Sequence, residues 1–155
     1  LSFMGGEDIR QLVDGAAYLF TNEYEAALTE QKTGWSAEEI LDRVGTRVTT
    51  RGAKGAIIES KGTEPIEVPV VAIGEVVDPT GVGDAFRAGY LAGVAWGVSA
   101  QRSAQVGSML AALVIETTGT QEYSIERGAF LGRIEAAYGS EAAQEIGSHL
   151  PSTIV

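Results

Sequence analysis

The sequence predicts an α/β fold, in which a mostly parallel sheet is flanked by helices. Short apolar or β-branched runs, typical of buried strands, alternate with longer segments that have helical spacing. This alternation favours a parallel sheet with helices on its faces. Polar, glycine-containing or acidic segments follow three of the runs, after Phe20, Thr50 and Val77. Ligands of such sheets bind beyond the carboxyl ends of the strands, so these segments are candidate site residues.

Each element is predicted from its own pattern. In chain order these are a helix at 7–14, a strand at 17–20, helices at 23–31 and 36–44, strands at 47–50, 56–60 and 66–71, and helices at 81–97, 101–117, 126–138 and 141–149. The first helix places Ile9, Leu12 and Val13 on one side. Ser36 and Glu39 have the spacing of a capping box.

Small residues are frequent in the predicted helix 81–97. Its Ala and Gly residues would permit close packing on a sheet. Glycine lowers helix propensity, so a tight packing contact is expected to offset that cost. Ser99 is predicted to cap the helix that follows, and residues 61–63 are predicted to form a turn between two strands.

Composition narrows the classes of function. The chain has 155 residues, enough for one domain, and a formal net charge of −10. The absence of a Lys/Arg cluster disfavours a nucleic-acid partner, and no apolar run reaches membrane-spanning length. No cysteine is present, which excludes disulfides and thiolate metal sites. These features predict a cytoplasmic protein that has no membrane partner, and the only histidine, His149, is predicted to be exposed.

The most informative segment runs from Asp78 to Asp84, where two glycines precede an acidic residue at the start of a predicted helix. Unpaired N–H groups at a helix amino end attract a phosphate, and glycines let it approach the backbone. Asp84 would repel a phosphate, so its economical role is that of a general base beside a transferring phosphoryl group. An ordinary strand-to-helix turn explains the same residues. Phe86 breaks the dinucleotide-binding fingerprint, and the chain has no Walker A ending.

Two further motifs carry candidate ligands. Asn22 and Glu25 lie three apart at a predicted helix start, where an amide and a carboxylate can hold a hydrated Mg²⁺; the alternative is a helix cap. The segment from Thr50 to Gly55 can turn its backbone toward phosphate oxygens, with Arg51 and Lys54 adding positive charge. Its alternative is a plain hairpin turn with two exposed cations.

Together these motifs resemble the ribokinase-like, or PfkB, family of sugar and nucleoside kinases. Residues 78–84 match the family's late signature, with Val82 at a tolerated position. Residues 22–25 match its Asn-x-x-Glu motif, and residues 50–55 match its Thr-x-Gly-x-x-Gly motif. The segments 18–22, 32–36 and 119–123 are most similar to the bacterial adenosine kinase branch.

The resemblance implies a ribokinase-like fold and a role for each matching residue. Asp84 would be the catalytic base, and its N–H would form an anion hole with Gly81, Val82 and Gly83. The family's ATP-binding positions correspond to Thr50, Gly52, Gly55, Gly107 and Leu110.

The same resemblance implies metal sites. Asn22 and Glu25 would position Mg²⁺ through its waters. A monovalent cation such as K⁺ would be surrounded by Asp78, Thr80, Val114, Thr117 and Gly119. Tyr123 stands where the family often has a smaller hydroxyl residue. Gly119 is also predicted to be a helix C-cap.

Family members are roughly twice as long as this chain, which resembles their C-terminal part. Residues 1–155 would be the ATP-binding and catalytic part of such a kinase. The N-terminal part and the lid of the family would be missing. Such a piece would expose an unpaired sheet edge, so the isolated chain is expected to be unstable or to aggregate. A homodimer is expected only of the full-length protein.

The leading hypothesis is transfer of the ATP γ-phosphate to a hydroxyl of adenosine or a sugar, with ATP and Mg²⁺ as cofactors. Two other classes remain open at this point. One is a catalytically inactive nucleotide-binding or interaction module. The other is an oxidoreductase with a dinucleotide fold, which Phe86 and the late position of the glycines disfavour.

Overall fold

The computed structural model describes residues 4–71, 81–116 and 126–151. The chain forms two compact units, Leu1–Val68 and Pro69–Val155. The first unit contains a sheet with helices, and the second is helical in the residues that the structure describes. In those residues no helix is long and apolar enough to cross a membrane.

The first unit follows the predicted order of elements. They are α1 (Gly6–Val13), β1 (Tyr18–Asn22), α2 (Glu23–Thr33), α3 (Ala37–Leu41), β2 (Thr46–Thr50), a short 3-10 turn (Gly52–Lys54), β3 (Ala56–Glu59) and β4 (Ile66–Val68). Helix α3 ends earlier than expected. The capping box at Ser36 and Glu39 is confirmed, because Ser36 Oγ accepts the Glu39 N–H at 3.2 Å and a Glu39 carboxylate oxygen accepts the Ser36 N–H at 3.3 Å.

The sheet has the order β1-β2-β3-β4 and is mixed. Strands β1 and β2 are parallel, whereas β2 and β3, and β3 and β4, are antiparallel. The α/β class is therefore confirmed, and in the described strands only the first pair is parallel. The reason is connection length. Two helices span the crossover from β1 to β2, whereas residues 51–55 are too few for anything but a reversal of direction.

Helix α2 packs against β1 and β2, and a half-buried ion pair joins the two layers. Arg47 of β2 is buried and donates to a Glu30 carboxylate oxygen of α2 at 3.1 Å. A small core of this unit is formed by Ile9, Val13, Ile40 and Val44. Leu12 does not join Ile9 and Val13 there; it is 61% exposed.

The second unit contains α4 (Val82–Trp96), α5 (Ala100–Ile115), α6 (Arg127–Tyr138) and α7 (Ser140–Gly147). Ser99 caps α5 as predicted, because its Oγ accepts the Arg102 N–H at 3.2 Å. The core of this unit is apolar and consists of Val71, Val106, Met109, Ala112, Phe130, Ile134, Ala142, Ala143 and Ile146.

Helices α4 and α5 approach closely along two small-residue faces. A Cβ added to Gly89 would lie 2.7 Å from Gly107 Cα, and one added to Gly93 would lie 2.5 Å from Ser103 Oγ. The tight contact expected for the small residues of this helix therefore exists, with α5 as its partner. Direct backbone approach explains why α4 carries two buried glycines despite their low helix propensity.

Two aromatic side chains near the end of the chain take specific partners. Tyr138 donates a 2.6 Å hydrogen bond to the carbonyl oxygen of Pro69. Burial raises the pKa of the Tyr138 hydroxyl, and a hydrogen bond with Ser108 partly opposes that rise. His149 is exposed as predicted and stacks on Trp96, with ring centroids 5.4 Å apart.

Candidate active site

In the first unit, the carboxyl ends of β1 and β2 bring two of the predicted motifs together. The strands run parallel, and Asn22 is the register partner of Thr50. Neighbouring strands are about 4.8 Å apart, so both motifs begin at adjacent points on one edge of the sheet. The sequence predicted this edge as a ligand site, and the structure brings the two segments to it.

Asn22 and Glu25 form a complete capping box at the start of α2. Asn22 Oδ1 accepts the Glu25 N–H at 2.7 Å, and Glu25 Oε1 accepts the Asn22 N–H at 3.0 Å. The cap, which was the alternative interpretation of this motif, is therefore present. Both side chains are solvent-accessible, and Glu25 Oε2 takes no part in the cap.

A capping box does not exclude a hydrated metal ion. An amide oxygen and a free carboxylate oxygen are donors that Mg²⁺ accepts, directly or through water. In the described residues there is no group of three or more His, Cys, Asp or Glu side chains that could hold a metal ion. The pair therefore suits an ion that keeps most of its own waters, and its magnesium role stays a prediction.

The loop after β2 is closed by its own backbone. The Arg51 N–H donates to the Gly55 carbonyl at 2.7 Å, and the Lys54 N–H donates to the Arg51 carbonyl at 3.1 Å. Gly52 and Gly55 have φ of 56° and 85°, a region that side chains disfavour. Gly52 is exposed, and a Cβ added there would meet nothing within 4 Å. The backbone at Gly52 is therefore open to an approaching ligand.

In the second unit, the N-cap residue of helix α4 is a glycine. Gly81 has φ of 82° and no side chain that could accept a hydrogen bond from the first turn. The first bond of the helix runs from the Ala85 N–H to the Gly81 carbonyl at 2.9 Å. Because the N–H groups of Val82, Gly83 and Asp84 precede that bond, they have no partner within the helix. Gly83 is exposed, and a Cβ there would meet nothing within 4 Å.

Asp84 occupies the first turn of α4 with its side chain 85% exposed. It does not point into the apolar core, and its carboxylate contacts Arg87 one turn later, with Arg87 Nη1 3.4 Å from Asp84 Oδ1. Arg87 was not singled out from the sequence. The signal was available, because residues three apart on a helix face each other.

The predicted ATP-pocket residues of α5 differ in their surroundings. Gly107 is buried against α4, where a Cβ would lie 2.6 Å from the Phe86 carbonyl oxygen. The structure thus gives Gly107 a packing role, and its contact with a nucleotide remains a prediction. Leu110 is half-buried against the apolar core of the second unit.

One member of the predicted monovalent cation site is described. Val114 Cγ1 lies 3.9 Å from the position that a Cβ on Gly81 would take, so the carboxyl half of α5 lies beside the N-cap of α4. The other predicted members lie outside the described residues: Asp78, Thr80, Thr117 and Gly119. Tyr123 also lies outside the described residues.

Comparison with known proteins agrees with this arrangement of motifs. The model of the pfkB family carbohydrate kinase matches residues 3–127. A nucleoside kinase of Methanocaldococcus jannaschii is 31% identical over 129 residues, a match that covers 78% of this chain and 42% of that protein. Adenosine kinase of Saccharomyces cerevisiae is 36% identical over 75 residues, covering 48% of this chain and 22% of that protein.

Solved structures give the same result for the fold. Burkholderia thailandensis nucleoside kinase in complex with inosine superimposes with a TM-score of 0.84 at 37% identity, covering 90% of this chain and 46% of that chain. The M. jannaschii nucleoside kinase, described as an archaeal member of the ribokinase family, gives a TM-score of 0.79 at 28% identity and covers 86% and 44%. This chain spans less than half the length of these relatives. The fold is therefore ribokinase-like, and the chain belongs to the pfkB family of carbohydrate kinases.

Proposed function

We propose that the protein takes part in phosphoryl transfer from ATP to a hydroxyl of a nucleoside. The observation that carries the proposal is the glycine N-cap of α4 together with the exposed carboxylate of Asp84 in the first turn of that helix. Phosphoryl transfer needs fixed positive dipoles and a nearby base more than it needs covalent chemistry. The amino end of α4 supplies the dipoles, and Asp84 supplies the base.

The reaction assigns a task to each of these groups. The acceptor hydroxyl oxygen forms a bond to the γ-phosphorus while the bond from that phosphorus to the bridging oxygen of ADP breaks. The hydroxyl proton passes to the Asp84 carboxylate. The N–H groups of Gly81, Val82, Gly83 and Asp84 stabilise the negative charge on the transferring phosphoryl oxygens.

The first unit is proposed to bind the ATP phosphates. Thr50, Gly52 and Gly55 would contact ATP through the loop after β2. The predicted adenine-pocket positions, Gly107 and Leu110, belong to the second unit. Asn22 and Glu25 would hold Mg²⁺ through its waters, and a bound magnesium ion would neutralise phosphate charge. K⁺ would be held near Val114, together with the predicted positions outside the described residues.

A nucleoside is the favoured acceptor because the M. jannaschii and B. thailandensis relatives, matched over 78% and 90% of this chain, are nucleoside kinases, the second solved with inosine. Adenosine, the acceptor first predicted from the sequence, is one member of that class. The adenosine kinase relative is matched over less than half of the chain. A sugar remains the alternative acceptor, and the substrate panel described below includes ribose.

The test is a substrate panel on the protein at the length that its gene encodes. ADP release with inosine, adenosine, cytidine and ribose would be measured with and without Mg²⁺. We expect turnover with a nucleoside that is lost on removing Mg²⁺. ATP binding without phosphorylation of any acceptor would reject catalysis and leave a nucleotide-binding module. A cytoplasmic location and a homodimer of the complete protein are also proposed, and fractionation and light scattering would test them.

A further inference from the structure

Lys54 stands apart from the other basic side chains. The sequence contains 11 Lys and Arg residues, and all of them lie within the described ranges. Most pair with a carboxylate, and Lys32 and Arg127 donate instead to the carbonyl oxygens of Met4 and Gly147. Within residues 4–71, 81–116 and 126–151, the Lys54 ammonium makes no ion pair and no hydrogen bond.

An unpaired lysine is notable because of the overall charge. The chain has 21 acidic residues and a formal net charge of −10, so carboxylates are abundant at the surface. Lys61 shows the usual outcome, since its Nζ lies 3.0 Å from Asp42 Oδ1. Lys54 is also exposed, yet within the described residues it takes no such partner.

Arg51, the other cation of the same loop, is already engaged. Its Nη2 donates to Glu67 Oε1 of β4 at 3.1 Å, and its backbone closes the loop. The Arg51 side chain is mostly covered, with 21% of its area exposed. Arg51 therefore stabilises the hairpin, and the Glu67 carboxylate neutralises its charge.

The place of Lys54 in the fold connects it to the candidate site. It is the last residue of the 3-10 turn Gly52–Lys54, which follows directly on the carboxyl end of β2. The register partner of Thr50 at that end is Asn22, so the turn lies at the sheet edge where the Asn22 and Glu25 capping box also lies. This edge is where an α/β sheet binds its ligands.

We propose that Lys54, and not Arg51, is the basic side chain of this loop that binds the polyphosphate of a nucleoside triphosphate. This rests on the proposed function and assigns one charge of that site. A lysine ammonium acts as a mobile point charge with three donors, which suits phosphate oxygens whose positions change along a polyphosphate. Leaving this ammonium without an internal partner keeps it available for a ligand.

The part of the nucleotide that Lys54 binds is its polyphosphate. An ammonium that contacts the β- or γ-phosphate distinguishes ATP from AMP. It contributes nothing to binding of the nucleoside acceptor. It also makes the affinity for polyphosphate depend on ionic strength, because the pair is exposed to solvent.

The experiment measures binding without relying on turnover. Calorimetry on the protein at its gene-encoded length would compare ATP, AMP and inorganic tripolyphosphate for the wild type, Lys54→Met, Lys54→Arg and the control Lys61→Met. Lys61 is a matched control because it is an exposed lysine in the neighbouring turn, at the other end of β3. The melting temperature of each variant would establish that it folds.

We expect Lys54→Met to weaken ATP and tripolyphosphate binding about three- to tenfold, the range for an exposed charged contact. AMP binding and the melting temperature should not change, Lys54→Arg should restore most of the affinity, and Lys61→Met should bind as the wild type does. Weakened binding by Lys54→Met would support the inference even if no acceptor were phosphorylated, a result that would reject only the catalytic proposal. Equal affinity of the wild type and Lys54→Met for ATP, or no binding of ATP and tripolyphosphate by the wild type, would overturn it.

Discussion

Helices α2 and α4 both begin at a segment that the sequence marks as part of a site, but their amino ends are completed in opposite ways. Asn22 and Glu25 close the first turn of α2 with two reciprocal hydrogen bonds. Helix α4 begins at Gly81, which has no side chain with which to cap the first turn. The N-cap residue therefore satisfies a backbone N–H group in one helix and leaves it to another partner in the other.

This difference distinguishes residues that stabilise the fold from residues whose side chains are available for binding or catalysis. A polar N-cap is worth about 1 kcal/mol relative to alanine but only about a few tenths of a kcal/mol relative to glycine, so the glycine at α4 costs little stability, and a bound anion there would be favourable. Asn22 and Glu25 serve the fold first, and any metal role is added to it. Asp84 has an exposed carboxylate and is not needed as a cap, so a functional role is easier to isolate there.

The largest effect is expected from Asp84→Asn. Loss of a general base lowers turnover by about 10²- to 10⁴-fold, whereas ATP binding should persist. Steady-state ADP release and calorimetry would measure the two quantities. Asp8→Asn is the matched control, because Asp8 is an exposed acidic residue in the first turn of α1. Unchanged turnover in Asp84→Asn would remove Asp84 as the base.

Gly89→Ala tests whether the α4–α5 contact holds the uncapped helix in place. Its Cβ would lie 2.7 Å from Gly107 Cα and 2.9 Å from the Val106 carbonyl oxygen, both backbone atoms that cannot rotate away. We expect a loss of about 1–3 kcal/mol in the free energy of unfolding, measured by urea titration. A variant as stable as the wild type would show that the helices are less tightly apposed.

Gly83→Ala separates the function of the α4 amino end from its stability. A Cβ there meets nothing within 4 Å, so folding should be unharmed, and alanine favours helix by up to about 1 kcal/mol. The methyl group would nevertheless obstruct an approaching phosphoryl group, and turnover should fall about tenfold, equivalent to about 1.4 kcal/mol in the barrier.

Gly132→Ala is the matched control for that prediction. Gly132 lies within α6, is exposed, and also has nothing within 4 Å of an added Cβ. Gly132→Ala should gain about as much stability as Gly83→Ala and should keep the turnover of the wild type. Equal turnover in the two variants would argue against phosphoryl binding at α4.

The smallest effect is expected from Asn22→Ala, compared with Ser36→Ala. Both substitutions remove the N-cap of a capping box, and each should cost about 1 kcal/mol of stability by thermal unfolding. Only Asn22→Ala should raise the Mg²⁺ concentration needed for half-maximal turnover. A matching Mg²⁺ dependence of the two variants would limit Asn22 to its capping role.

Much of the fold could be predicted because the signals are local. The Ser36 and Asn22 capping boxes depend on residues three apart, and the Ser99 cap depends on its own helix. The helix after Gly81 also begins as expected. Leu12 shows where a local pattern fails, since the apolar spacing of α1 does not tell which of its apolar residues another element will cover.

The sequence by itself determined the order of elements, the glycine-led start of α4 and the presence of an acidic residue in its first turn. These follow from backbone freedom and helix periodicity, which act over a few residues. Only the tertiary structure decided that Gly107 packs on Phe86, that Arg51 is paired with Glu67, and that Lys54 is left without a partner. Those outcomes depend on which distant segments meet, and pairing between side chains far apart in the chain is set by packing and not by local pattern.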